Sequence, residues 1–238
     1  MHDVTIRQEI IDRVLARRGR HHLFEALEPQ RTALLVIDMQ NMFCEPGAPA
    51  EVSASRGICD NITRLCAEMR DLGGLVIWIT SATTFANGRS DWETFLHNFV
   101  TDDVRRDRQE YLSPGGHGEQ IWRDLDPQES DLHIRKNRYS ALTPGASMLQ
   151  SALASHDIQN ILIAGTKTNI CCESTGRDAM QLDHQVVMVE DCCAALSDEE
   201  HRSALENMIQ QFGDVMTTDE VISVLKNRPN DQSKPSTR

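Results

Sequence analysis

Five short, nearly unbroken apolar runs punctuate the chain: Ala33-Leu34-Leu35-Val36-Ile37, Leu75-Val76-Ile77-Trp78-Ile79, Leu132-His133-Ile134, Ile161-Leu162-Ile163-Ala164 and Val186-Val187-Met188-Val189. Asp214-Val215-Met216 is a weaker sixth. Runs of this length, rich in β-branched residues and lacking alternation, fit strands covered on both faces, as in a parallel sheet. Helix-length stretches lie between them at about 57–72, 145–156, 172–183 and 198–211. The alternation predicts a three-layer α/β/α, doubly wound, Rossmann-like domain around a mainly parallel six-stranded sheet with right-handed crossovers.

Outside this pattern, Val4, Ile6, Ile10, Ile11, Val14 and Leu15 recur at helical spacing. Residues 1–28 are therefore expected to form a helical extension, packed on the main domain or on another subunit. The domain itself is expected over 29–227, followed by a polar tail at 228–238 that reads as disordered or as a surface extension. Residues 81–130 are less regular and carry Trp92, Phe95, Phe99, Trp122 and the turn Pro114-Gly115-Gly116-His117-Gly118. An insertion of this kind above a sheet forms part of a binding cleft or is a plain long connection.

A length of 238 residues suits one large domain, and 39% hydrophobic with 25% charged residues is the composition of a soluble globular protein. The net charge of -12 argues against nucleic acid or an anionic membrane as the main partner. No run approaches the roughly 20 apolar residues of a spanning helix. Asp3, Glu9 and Asp12 interrupt any secretory or mitochondrial leader, so a cytoplasmic location is expected. Seven cysteines without CxxC or zinc-finger spacing read as free thiols, most of them small buried hydrophobes.

In open parallel sheets ligands bind beyond the carboxyl ends of the strands. Three reactive residues follow apolar runs: Asp38, Lys136 and, after the turn Gly165-Thr166-Lys167-Thr168-Asn169, Cys171. A thiol at a helix start is expected to feel the dipole and have its pKa lowered, and neighbouring backbone N–H groups can receive an oxyanion. A carboxylate can take the thiol proton and an ammonium can orient that carboxylate. Taken singly, each residue also has a plain reading: a turn cap for Asp38, a solvated side chain for Lys136 and core packing for Cys171.

Four segments resolve that choice. ALLVIDMQNMF at 33–43, RKNRYSAL at 135–142, IAGTKTNICCESTGRDAM at 163–180 and VVMVEDCCAA at 186–195 occur in an order and spacing that resembles the isochorismatase-like superfamily of cysteine hydrolases, over about residues 30–225. The resemblance implies that Asp38 is the general base, Lys136 the family lysine and Cys171, third after Thr168 of a G-x-x-T turn, the nucleophile. Cys172 then falls at a packing position. The resemblance further implies a cis peptide between Thr166 and Lys167, with the N–H groups of Lys167 and Cys171 as the oxyanion hole. Lys167 departs from the small or apolar residue usual in the family. Its side chain is expected to be structural or solvated, with a charge toward an anionic substrate as the alternative.

Within the superfamily, true isochorismatases typically lack the nucleophile cysteine, so Cys171 favours amide chemistry over vinyl ether cleavage. Nicotinamidases carry a metal-binding Asp-x-His after the second strand; here the segment reads TSATTFANGRSDWETF and His97 and His117 stand apart, so neither a metal nor any other cofactor is expected. What remains are amidohydrolases of ureido, carbamoyl and related small amides, with a vinyl ether hydrolase or an inactive scaffold as alternatives. Phe43, Trp92, Arg138 and Tyr139 are the expected substrate-binding residues, with Arg138 able to grip a carboxylate. Trp78 is a further candidate whose place inside an apolar run equally suits the core. The resemblance and the apolar N-terminal stripe point to a homodimer or homotetramer.

Overall fold

The computed structural model describes residues 2–82, 85–86, 89–112 and 115–227, so the expected tail at 228–238 lies outside the described residues. Six strands form one sheet: β1 (Thr32–Ile37), β2 (Leu75–Ser81), β5 (Leu132–Lys136), β6 (Asn160–Thr166), β7 (Gln185–Ala194) and β8 (Asp214–Met216). Two short strands, β3 (Phe85–Ala86) and β4 (Arg89–Ser90), pair antiparallel beside it. The order across the sheet is β5-β2-β1-β6-β7-β8, and every neighbouring pair is parallel. All six apolar runs of the sequence are strands of this sheet.

Alternation along β1 explains why the run looked uniformly apolar. Ala33, Leu35 and Ile37 pack into one core, whereas Leu34 and Val36 pack into the other. Side chains of a strand point to opposite faces at every step, and here both faces are covered. The first core takes α1 (Gln8–Arg18), α6 (Leu149–Ser155), α7 (Glu173–Gln181) and α8 (Asp198–Asn207) through Ile10, Val14, Leu149, Leu153, Ala179 and Leu205. The second takes α3 (Cys59–Asp71) and α9 (Thr218–Lys226) through Ile62, Leu65, Met69, Val221 and Leu225. The N-terminal stripe therefore packs on the body of its own chain. The Arg7 guanidinium reinforces this by donating from Nε to Glu206 Oε1 at 2.9 Å.

Trp78 belongs to the second core at 1% exposure, with its indole N–H donating to Asp131 Oδ2 at 2.8 Å. Arg70 holds the same carboxylate through Nε at 3.0 Å. Burial alone would raise the Asp131 pKa; the Arg70, Gln128 N–H and Trp78 donors outweigh it and hold the carboxyl below its ordinary value. Of its two readings, Trp78 takes the core one.

The winding direction reverses between β1 and β6, because β1, β2 and β5 run outward on one side and β6, β7 and β8 on the other. Ligands of open α/β sheets bind at such a switch point, beyond the strand ends. Gly165 makes the close pass there possible. Its φ is +113°, and a Cβ would lie 2.0 Å from the Ile37 carbonyl oxygen.

Candidate active site

β1 ends at Ile37, and the next residue, Asp38, turns back with φ 55° while its N–H donates to Ile79 O at 2.8 Å. That turn holds the carboxylate, 0% exposed, at the mouth of the switch point. β5 lies two strands away, but the register pairs its last residue, Lys136, with Ser81 at the end of β2. The Lys136 side chain, 1% exposed, reaches under this rim. Its ammonium donates to Asp38 Oδ2 at 2.8 Å, to Ser81 Oγ at 2.9 Å and to the Arg138 carbonyl at 3.2 Å, and lies 3.5 Å from Cys171 Sγ. Ser81 Oγ in turn donates to Asp38 Oδ1 at 2.9 Å. Three side chains from distant stretches converge around one nitrogen.

Cys171 sits in a π-helical turn, Thr168–Cys172, that runs without a break into α7. Its thiol is 7% exposed and shares the Lys136 ammonium with the Asp38 carboxyl group. Burial, and then the negative charge of Asp38, push this thiol well above its ordinary pKa; Lys136 pulls the other way and does not win. This corrects the expectation of a thiol acidified by a helix start. The helix begins before the cysteine, and removal of the sulfur from water is the largest influence. At rest the sulfur holds its proton.

For Lys136, burial works against the charged form, but Asp38 and Cys171 outweigh it and raise the pKa, so the ammonium persists. Cys172, fully buried in the first core, points away toward Ala164 O at 3.9 Å. The peptide between Thr166 and Lys167 is cis, as the resemblance implies. Thr166 is fully buried, with its hydroxyl donating to Ala194 O at 3.1 Å. One turn further, Thr168 Oγ1 lies 2.8 Å from His201 Nδ1, and that buried imidazole is held neutral, its pKa lowered to about 4 chiefly by burial.

Above the three side chains opens a cavity of about 330 Å³. Cys171 and Lys136 line its floor together with Ser81 and Lys167, and Phe43, Trp92, Arg138 and Tyr139 line its walls. All four expected substrate-binding residues thus border one space. Arg138 is partly committed, since Nη1 donates to Asn137 O and Nη2 to Asp91 O, both at 2.8 Å, and its guanidinium lies 5.2 Å from the Trp92 ring centre. The insertion contributes a helical cover, α4 (Glu93–Asn98) and α5 (Asp102–Tyr111), which brings Phe95, Leu96 and Val104 to the cavity. The small helix α2 (Asn41–Cys44) supplies Phe43.

Sequence reasoning missed Ser81 and Phe95. Ser81 obeys the strand-end rule that found the others, because it closes Leu75–Ser81, but a lone serine there gives no chemical signal. Phe95 sits inside the irregular insertion, where periodicity is too short to orient a helix.

Fold and site together define a hydrolase of three-layer α/β architecture. The chain belongs to the isochorismatase family: the sequence profile of the isochorismatase domain matches residues 32–220. A ureidoacrylate amidohydrolase from Klebsiella pneumoniae is 34% identical over 176 residues, which covers 68% of this chain and 73% of that protein. One from Variovorax paradoxus is 30% identical over 213 residues, covering 83% of this chain and 82% of its own length. Among solved structures, a cysteine hydrolase from Pseudomonas syringae pv. phaseolicola superposes with a TM-score of 0.71 at 28% identity, covering 82% of this chain and 92% of that one.

Proposed function

We propose that this amidohydrolase of the isochorismatase family cleaves a small ureido, carbamoyl or related amide through a covalent intermediate on Cys171. The observation that carries the reading is the contact geometry on the cavity floor. Lys136 Nζ stands 2.8 Å from Asp38 Oδ2 and 3.5 Å from Cys171 Sγ, so carboxylate and thiol meet at one ammonium. The ureidoacrylate amidohydrolases at 30–34% identity support the amide class.

In the forward direction Asp38 takes the thiol proton as the sulfur attacks the carbonyl carbon. The N–H groups of Lys167 and Cys171 hold the resulting oxyanion. The tetrahedral intermediate collapses with cleavage of the C–N bond, and Asp38 gives its proton to the departing nitrogen. A water molecule, deprotonated by Asp38, then attacks the thioester; the C–S bond breaks and the sulfur recovers the proton from Asp38. Lys136 holds Asp38 in place through these transfers. A thiol that is neutral at rest suits this cycle, since the proton it surrenders is the one the leaving group needs.

The test is a panel of small amides, ureido and carbamoyl acids and isochorismate, assayed for ammonia and pyruvate with wild type, Cys171→Ala, Asp38→Asn and Cys172→Ala. Cys171→Ala and Asp38→Asn are expected to abolish amide turnover while Cys172→Ala retains it, and acid-quenched wild type is expected to carry the acyl mass on the Cys171 peptide. Pyruvate release from isochorismate that survives Cys171→Ala would replace this reading with vinyl ether hydrolysis.

A further inference from the structure

Among the groups that border the cavity, three are cations: Lys136, Arg138 and Lys167. Lys136 is spent on Asp38, and two Arg138 nitrogens are spent on backbone carbonyls. Asp91, the one acid of the lining among the described residues, accepts from Asn137 Nδ2 at 2.5 Å. Lys167 is different. It is half-buried and lines the same space as Cys171, and among the described residues its ammonium has neither an ion pair nor a hydrogen bond. The surrounding walls are Phe43, Trp92, Phe95 and Tyr139.

An ammonium without a partner among the described residues, lining the same cavity, is available to neutralise an anion that enters it. In a chain of net charge -12 it is also a local inversion of sign, able to draw an anion toward Cys171 on the cavity floor. From this, and resting on the amidohydrolase reading above, we infer that Lys167 is the specificity-determining residue that selects amides bearing a carboxylate. One ammonium neutralises one charge. A carboxylate therefore matches the site, whereas a phosphate dianion would leave its second charge among the rings. The rest of the substrate lies against Trp92, Phe95 and Tyr139, which suits a flat or unsaturated carbon skeleton. Its reacting carbonyl can meet Cys171 while its carboxylate meets Lys167, because Lys167 caps the turn that carries Cys171.

The experiment compares 3-ureidoacrylate with its methyl ester, which removes the charge and keeps the ureido group. The readout is the ratio of kcat/KM for acid over ester, measured for wild type, Lys167→Met and Lys167→Arg. Wild type is expected to prefer the acid, Lys167→Met to lower the ratio by about tenfold or more through KM, and Lys167→Arg to keep most of it. Because Lys167 also supplies a backbone donor, loss of rate on both compounds leaves the ratio as the deciding quantity. An unchanged ratio in Lys167→Met overturns the inference. Calorimetry on Cys171→Ala and on Cys171→Ala/Lys167→Met separates it from the hydrolysis reading. Tighter binding of the acid that vanishes in the double variant supports the role of Lys167 even if no turnover occurs. Equal binding of acid and ester, or binding of neither, overturns it.

Discussion

Replacing Lys136 by Met tests the architecture of the site through stability as well as catalysis. The substitution keeps an unbranched apolar stem of similar length and removes only the ammonium. It leaves the Asp38 carboxylate, 0% exposed, with the Ser81 hydroxyl at 2.9 Å as its side-chain donor among the described residues. Removing one partner of a buried ion pair costs about 3–5 kcal/mol, because the other charge remains out of water. Loss of the bonds to Ser81 and to the Arg138 carbonyl falls within that figure, since the same nitrogen makes them. The stranded carboxylate can escape by binding a proton that the unfolded chain does not hold. Unfolding of the variant then releases a proton, so its deficit shrinks as pH falls and is fullest at neutral pH and above. Urea unfolding followed by tryptophan fluorescence, for wild type and Lys136→Met at pH 5 and pH 8, measures both the cost and its pH dependence. Adding Asp38→Asn to Lys136→Met is expected to recover part of the loss, a non-additivity typical of contacting residues. A cost under about 1 kcal/mol at pH 8, as an exposed pair would give, refutes the reasoning, as does an equal cost at both pH values.

Ser81→Ala removes a hydroxyl that bridges Asp38 and Lys136, and it is expected to lower kcat by about tenfold, the effect of one hydrogen bond to a charged group, with little change in KM. Gly165→Ala forces a Cβ to within 2.0 Å of the Ile37 carbonyl at φ +113°, so the protein is expected to lose at least about 3 kcal/mol or to express insolubly; soluble protein with a wild-type urea midpoint would contradict the close pass of β6 and β1. The acid limb of stability follows His201. A histidine whose folded pKa is depressed contributes stability that is present above its unfolded value and lost as pH falls from about 6.5 toward about 4, here up to roughly 3 kcal/mol. His201→Gln is expected to flatten that part of the urea-midpoint profile, and an unaltered slope between those pH values would show that another group governs it.

Much of this molecule was legible before any coordinates. Strands buried on both faces write themselves as continuous β-branched runs, so all six were found, and the strand-end rule named Asp38, Lys136 and Cys171. Family motifs also marked the Thr166–Lys167 peptide, which is cis. These features are local or follow from a rule about where strands end, and sequence carries such information directly. Other properties depended on which strand lies beside which. The pairing of Ser81 with Lys136 put a serine into the ion pair, though it resembles any residue at the end of a strand. Trp78 could have faced the cavity or the core until α3 and Asp131 were placed around it. The thiol was expected to be acidified by its helix, and the fold raised its pKa instead, because desolvation sums over every neighbour in space. Chain order records a residue's neighbours along one dimension; charge, proton affinity and access are set by neighbours in three.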